Sequence, residues 1–474
     1  MKRAIYDEKL AQLHLEAREI FAHALQASSI PAAFDSHLHF AENRLIRHSA
    51  DGGHSVAISL DDYQKIYVIA LGKAALAMLD ALLERLPDNL PLEGVCSAPE
   101  LPRRAHPKIH YYAGGHPLPN EDSFRAAHAA LRLLQSTGST LVFFLISGGG
   151  SSLFEAPLDQ RISFGDTVAF HRALVGAGAT IREMNALRKH FSAVKGGRLA
   201  VAAAEAAKFS LLVSDVPPSD LDAVASGPTL PDPSTVEECR EILARYGLLQ
   251  QFPPRVREFF ADPDLPETPG VKRALLSPHP HGFANSQLDT LLSNHDLVHA
   301  ATERARALGY ETVVDNGCDD WDYRDAAQYL LTRFRQLRRE YPRLCLLSGG
   351  EVTVRLGKKS ATGGRNQQFS LACALKLARG GLIEPLQAGQ SLAAGPEASI
   401  TVLSAGSDGV DGNSPAAGAI ADSTTVARAQ DIGLDAAGAL RRFDSFPLFA
   451  ALGDSVVTGP TNNNLRDLRI FLSR

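Results

Sequence analysis

The chain has 474 residues, 45% of them hydrophobic, which is too long for one ordinary core and predicts two packed domains rather than a disordered chain. A formal net charge of −5 leaves no electrostatic footprint for nucleic acid, and no apolar run reaches membrane-spanning length. The five cysteines, Cys96, Cys239, Cys318, Cys345 and Cys373, are scattered without a CxxC pair, which argues against a zinc site or disulfide scaffold and fits reduced thiols in the cytosol.

In chain order, MKRAIYDEKLAQLHLEAREIF has acidic residues throughout and no apolar signal region, so it reads as an amphipathic helix. Five short apolar runs follow: KIYVIALGKAAL from Lys65, LVFFLISGGGSS from Leu141, FSLLVSDVPPSD from Phe209, LCLLSGGE from Leu344 and SITVLSAGSDGVDG from Ser399. They lack alternation and are interleaved with helical stretches such as SFRAAHAALRLLQ, the pattern of parallel strands covered on both faces. The fold class expected is α/β. Residues 251–285 hold a cluster of prolines and read as the interdomain connection. After it, FANSQLDTLLSNHDLVHAATERARALGY reads as one long helix and ETVVD as a strand. The boundary is placed near Arg273, giving domains 1–273 and 274–474, and EPLQAGQSLAAGPEAS from Glu384 reads as a connector.

Four of the runs end in Ser-Gly-Gly, Ser-Asp or Gly-Ser-Asp, and ligands of open α/β sheets collect beyond the carboxyl ends of strands. Gly148, Gly149 and Gly150, between Ser147 and Ser151–Ser152, expose backbone amides that could cradle a phosphate ahead of a helix, or simply make a tight turn. No GxxxxGK[ST], GxGxxG or GxSxG accompanies them. Lys73 follows a strand, where an ammonium reaches an anion or merely opens a helix. Arg365, in TGGRNQQFSLA, offers a planar fork for carboxylate or phosphate. Asp215 and Asp408, each just past an apolar run, suit a Mg²⁺ ion, a hydroxyl proton or an ordinary turn. Asp411 is a weaker candidate, and Glu351, in SGGEVTV, is an unusual charge at a strand start with a ligand or an internal ion pair as its partner. The pairs His37/His39 and His279/His281 have no carboxylate motif nearby to complete a metal site.

Taken in order, the motifs resemble the class II glycerate kinases, which join a Rossmann-like N-terminal domain to a smaller C-terminal MOFRL domain. They are LGKAALAM, GGHPLPNE, LISGGGSSLFEAP, GATIREMNALRKHFSAVKGGRLA, SDVPPSDLDAVASGPTLPDPST, LLSGGEVTVRLGKKSATGGRNQQ, SAGSDGVDGNSPAAGAIAD and VVTGPTNNNLRDLRIFL. The resemblance implies an interdomain cleft as active site, with Lys73 and Arg365 at the positions regarded as catalytic. It implies that Ser147 to Ser152, Asp215, Ser226, Gly227, Asn285, Glu351, Asp408, Gly409, Thr458 and Gly459 line that cleft. The chain departs from the family pattern at Asn462, Asn463 and Arg466, where GPTGTNVNDL is usual, and at Asn120 and Pro218, where aspartate and glycine are commoner.

The activity implied is transfer of the ATP γ-phosphoryl group to the 2-hydroxyl of D-glycerate, with Mg²⁺ held by Asp215 or Asp408 and one of these aspartates taking the hydroxyl proton. Its partners are small molecules, with no nucleic acid or membrane, in a cytoplasmic protein for which a homodimer is open. A rival reading is a nicotinamide-dependent hydroxypyruvate reductase, which calls for a GxGxxG loop that the chain lacks. A non-catalytic sensor is a third, and it would not need the charges at Lys73 and Arg365.

Overall fold

A computed structural model describes residues 8–41, 43–47, 56–270, 282–355, 361–378 and 400–474. The chain folds as two compact units, one formed by Ile30–Ser293 and the other by Met1–Ser29 with Asn294–Arg474. We call these the first and second unit.

The first unit opens with a small antiparallel sheet of β1 (Leu38–Ala41), β2 (Arg44–Arg47) and β3 (Val56–Ser59). Its main sheet has six strands: β4 (Lys65–Leu71), β5 (Leu92–Ala98), β6 (Ile109–Ala113), β7 (Thr140–Ser147), β8 (Ala207–Val213) and β9 (Ser286–Leu292). All pairs are parallel, in the spatial order β6-β5-β4-β7-β8-β9. Counted from β4 this is 3-2-1-4-5-6, the doubly wound order whose chain direction reverses between its first and fourth strands. Every residue of β7 is buried, as its unbroken apolar sequence demands for a central strand covered on both faces.

The second unit carries a mixed sheet of β10 (Glu311–Val314), β11 (Leu344–Gly350), β12 (Ile400–Gly406), β13 (Gly418–Asp422), β14 (Ser455–Val456) and β15 (Asp467–Ser473), ordered β10-β11-β15-β12-β13-β14. β15 runs antiparallel between β11 and β12, so its first residue, Asp467, pairs with the last residues of both, Gly350 and Gly406. That register puts the exits of β11 and β12 beside an acidic side chain.

The α/β class therefore holds, and the domain limits shift. Residues 286–292, read as the start of a long helix, form β9; the helix begins at Asn294 and ends at Ala307. Leu288, Leu291 and Leu292 suit either element by spacing, but an open edge of a parallel sheet takes this half-exposed segment as its sixth strand. The first unit thus extends past the proline-rich stretch to Ser293, and Arg273 lies outside the described residues. At the other end, the helix Glu8–Ala27 belongs to the second unit. It buries Leu10, Leu13, Ala17, Ile20, Phe21 and Ala24 there, and its His14 Nε2 lies 2.8 Å from Asp422. No helix among the described residues is long and apolar enough to cross a membrane. His279, His281 and the segment from Glu384 to Ser399 lie outside the described residues.

Candidate active site

In the first unit the strand order reverses between β4 and β7, and the loops leaving these strands interlock. Gly72, at φ +117°, follows β4, and a β-carbon there would sit 2.3 Å from Ser147 Oγ. Only glycine lets the two strand ends come this close. The Ser147 hydroxyl accepts a hydrogen bond from the Ala74 amide at 3.0 Å, and the Lys73 amide donates to the Gly148 carbonyl at 2.9 Å. The exposed Lys73 side chain lies along Gly149, whose ideal β-carbon would be 3.0 Å from Lys73 Cγ. Gly149 is left-handed at φ +80°, and the helix after it, Gly150–Leu153, is a single turn. The glycine loop therefore offers amides and a nearby ammonium, with little helix dipole behind them.

Asp215, two residues past Val213 at the end of β8, packs on the same loop: a β-carbon on Gly148 would lie 2.0 Å from its Oδ2. Ser151 and Ser226 share a hydrogen bond of 2.8 Å between their hydroxyls. Ser226 sits in a run of three left-handed residues, Ala225 (φ 49°), Ser226 (φ 61°) and Gly227 (φ 59°). Two of these are not glycine, an arrangement that costs roughly 1–3 kcal/mol per residue and persists where the surroundings impose it. Here the amides of Gly196 and Gly197 hold the carbonyls of Ser226 and Gly227 at 3.0 and 2.7 Å. Asn285 is not part of this group. It precedes β9, and its carbonyl accepts the Lys208 amide near the start of β8. That is the opposite end of the strands, a seven-residue strand away and so about 20 Å from the level of the loops.

Sequence reasoning missed the groups around this loop. His116, inside GGHPLPNE, shares a 3.0 Å hydrogen bond with Ser152, and burial together with Lys73 lowers its pKa. Glu155 is wholly buried, with Lys195 Nζ and His171 Nε2 each 2.7 Å from Oε2 and the Ser192 hydroxyl donating to Oε1 at 2.6 Å. Burial alone would raise its pKa, but Lys195 and His171 hold it at about 2. His116, Glu155, Ser192 and Lys195 stand inside the quoted motifs and His171 outside them, yet nothing local marks a buried ion pair. Asn120, where aspartate is commoner, caps the helix Glu121–Leu133 through a reciprocal bond with Ser123, work that either side chain does.

The second unit gathers a separate cluster where β11 and β12 end. Arg365 opens the helix Arg365–Ala378 and donates from Nε and Nη2 to Asp467 at 2.7 and 3.0 Å, and from Nη1 to Glu351 at 2.7 Å. Three of its five N–H groups are thus engaged, so it is not the open clamp that its sequence context suggests. Burial acts to lower its pKa, but the two carboxylates carry it well above the ordinary value. Glu351 is itself raised, mainly by burial. Asp408 accepts the Val410 amide at 3.1 Å, and its Oδ1 and Asp467 Oδ1 are the nearest atoms to a β-carbon built on Gly406. Gly409 packs against Gly459 and Thr458 so closely that a β-carbon would lie 1.9 Å from the Gly459 carbonyl oxygen.

Two aspartates in this unit have structural work. Asp411 is buried beneath the start of the Arg365 helix, where it accepts the amides of Asn366 and Gln367 at 3.0 and 2.9 Å. Its burial raises its pKa to about 6 against the pull of those amides. Asp319 is held by Arg466 through bonds of 2.7 and 2.8 Å and accepts the Glu351 amide at 2.9 Å. The unusual Arg466 thereby steadies the end of β11. Asn463, another departure, donates to the Ser28 carbonyl at 2.7 Å.

Among the described residues no group of three or more His, Cys, Asp or Glu side chains is placed to hold a metal, His37 and His39 included. Mg²⁺ in a nucleotide site needs only one or two protein carboxylates beside phosphate oxygens and water. Asp215, pressed against a side-chain-free loop, and Asp408 both suit that requirement.

A family model described as a domain of unknown function, DUF4147, matches residues 16–261, and the MOFRL family model matches residues 344–467. A putative hydroxypyruvate reductase of Agrobacterium vitis is 36% identical over 419 residues, covering 85% of this chain and 86% of that protein. The glycerate 2-kinase of Pyrococcus horikoshii is 33% identical over 418 residues, covering 86% and 87%. The crystal structure of glycerate kinase from Thermotoga maritima superposes with a TM-score of 0.78 at 28% identity, covering 98% of this chain and all of that one.

Proposed function

We propose a division of labour for this chain, which belongs to the class II glycerate kinase family and is a kinase phosphorylating the 2-hydroxyl of glycerate, with ATP as donor. Phosphoryl transfer asks a protein for positioning and charge neutralisation more than for covalent chemistry. The observation that carries the assignment of parts is the contact of Lys73 with the glycine loop at the strand-order reversal. Lys73 and the amides of residues 148–152 hold the phosphates. Arg365, kept rigid by Asp467 and Glu351, turns its two remaining N–H groups to the transferring group. Asp215 and Asp408 divide the last two duties, carboxylate for Mg²⁺ and acceptor of the hydroxyl proton. Mg²⁺, when bound, supplies charge neutralisation on the phosphate oxygens. A cytoplasmic setting accords with five cysteines that are all buried and unpaired.

The test uses the full chain with D-glycerate and Mg-ATP, following ADP release and locating the new phosphate by ³¹P NMR. The expected product carries it on the 2-hydroxyl. A parallel incubation with hydroxypyruvate and NADH checks the reductase reading, and nicotinamide consumption without ADP would replace the kinase assignment.

A further inference from the structure

Glycerate carries a carboxylate that a selective kinase must read, and Arg365 already spends most of its donors on Asp467 and Glu351. In the first unit another guanidinium is differently placed. Arg188, on the helix Ile181–Phe191, is half-buried, donates from Nη1 to Asn185 Oδ1 at 3.4 Å, and makes no ion pair among the described residues. Its Nε is buried without a hydrogen-bond partner.

Asn185 connects this guanidinium to the glycine loop. Its Oδ1 also accepts the Ser226 hydroxyl at 3.1 Å, and Ser226 in turn shares its 2.8 Å bond with Ser151. A continuous polar track therefore runs from Arg188 to the loop after β7, and it passes through the left-handed residues already described. The charge balance along it is uneven. Glu155 is engaged at contact distance by Lys195 and His171, and burial lowers the pKa of His171 toward the neutral form. Glu155 acts on Arg188 only from farther off, where it offsets part of the cost of burying that cation. With Lys195 and Arg188 positive and Glu155 negative, one positive charge is left over under the loop. A partly buried cation without a counter-ion is costly, and an anionic ligand relieves it.

We infer that Arg188, with the hydroxyls of Ser151 and Ser226, is the subsite that binds the carboxylate of glycerate. The fork of a guanidinium matches the two oxygens of a carboxylate, whereas the loop amides and Lys73 suit phosphate. The inference rests on the kinase reading and adds to it the group that recognises the acceptor.

The experiment measures steady-state kinetics of wild type and Arg188→Gln with D-glycerate and with its uncharged analogue D-glyceramide. Hydrogen bonds to charged groups predict that the variant loses roughly 10- to 100-fold in kcat/KM for D-glycerate, with KM for ATP within about twofold. The preference of wild type for the acid over the amide should shrink by a similar factor, a change that a merely structural role would not produce. An unchanged preference, or a rise in KM for ATP in place of that for glycerate, overturns the subsite. If Arg188→Gln does not fold, Arg188→Lys keeps the charge and removes the fork, and Ser226→Ala removes a hydroxyl. A preference equal to wild type in both rejects the inference. A wild type that forms no ADP with D-glycerate rejects the kinase reading instead, so the two failures are distinguishable.

Discussion

Arg365 and Asp467 are joined by two parallel hydrogen bonds, Nε to Oδ2 at 2.7 Å and Nη2 to Oδ1 at 3.0 Å, with Asp467 itself fixed as the first residue of β15. The pair ties the guanidinium to the end of the sheet's central strands. Asp467→Asn keeps the shape and removes one acceptor, so Arg365 should swing on its Glu351 contact. Misplacing a positioning group by about 1 Å can cost on the order of 10²-fold in rate, and kcat should fall by that order. Steady-state kinetics check this; a kcat within about twofold of wild type would remove the pair from the mechanism.

Lys73→Met should lower kcat by roughly 10²- to 10³-fold, the scale for removing one electrostatic donor from a transition state. The side chain is exposed and makes its contacts along Gly149, so denaturant unfolding should match wild type. A large loss of stability would assign Lys73 to the fold instead.

Gly148→Ala introduces a β-carbon 2.0 Å from Asp215 Oδ2. The carboxylate must move, and activity should drop at least about tenfold if Asp215 works where it stands. Separately, Asp215→Asn and Asp408→Asn should differ in their response to metal. The variant lacking the metal carboxylate should need more Mg²⁺ for half-maximal rate, and the one lacking the proton acceptor should lose kcat at every Mg²⁺ concentration. Identical Mg²⁺ titrations for both would reject the division.

Glu155 has its folded pKa depressed to about 2, so its contribution to stability is present above its ordinary value near 4.5 and is lost as the pH falls toward 2. Glu155→Gln leaves Lys195 buried without its partner, and removing one member of a buried pair costs roughly 3–5 kcal/mol. Urea unfolding at pH 7 measures it, and adding Lys195→Met should recover part of the loss.

Asp411 gives the opposite slope. Its pKa is raised to about 6, so the protonated form is favoured in the folded state. Its contribution is full below its ordinary value near 3.8 and declines as the pH rises through 6. The Tm of wild type minus that of Asp411→Asn should therefore fall between about pH 4 and 6, and a difference that grows over this range would contradict the burial argument.

The strands that carry the site were legible because a parallel strand buried on both faces announces itself as an unbroken apolar run, as β7 and β12 do. Lys73, Asp215 and Asp408 were found by the same logic, from their place at the exits of such strands. β9 escaped because its half-exposed segment, with Leu288, Leu291 and Leu292, is as compatible with a helix as with an edge strand. Asn285, which the resemblance alone put in the cleft, precedes β9 and so lies at the other end of the first unit's sheet from residues that follow its strands. Asp467, Glu155 and Arg188 escaped for a different reason. The partners of Asp467 and Glu155 lie 102 and 40 residues away, at Arg365 and Lys195, and Arg188 joins the loop only through the bond of Asn185 to Ser226, 41 residues apart, so spacing shows none of these connections.

The helix Glu8–Ala27 belongs with residues that follow Asn294, while everything between builds the other unit. During synthesis that helix emerges ahead of the other unit and must wait with its apolar stripe uncovered until the roughly 260 residues of Ile30–Ser293 have been made. The continuous unit can close on its own as it leaves the ribosome, whereas the interrupted one is completed only by joining both ends of the chain. Removing the helix Glu8–Ala27 or the residues after Asn294 therefore strikes the same unit.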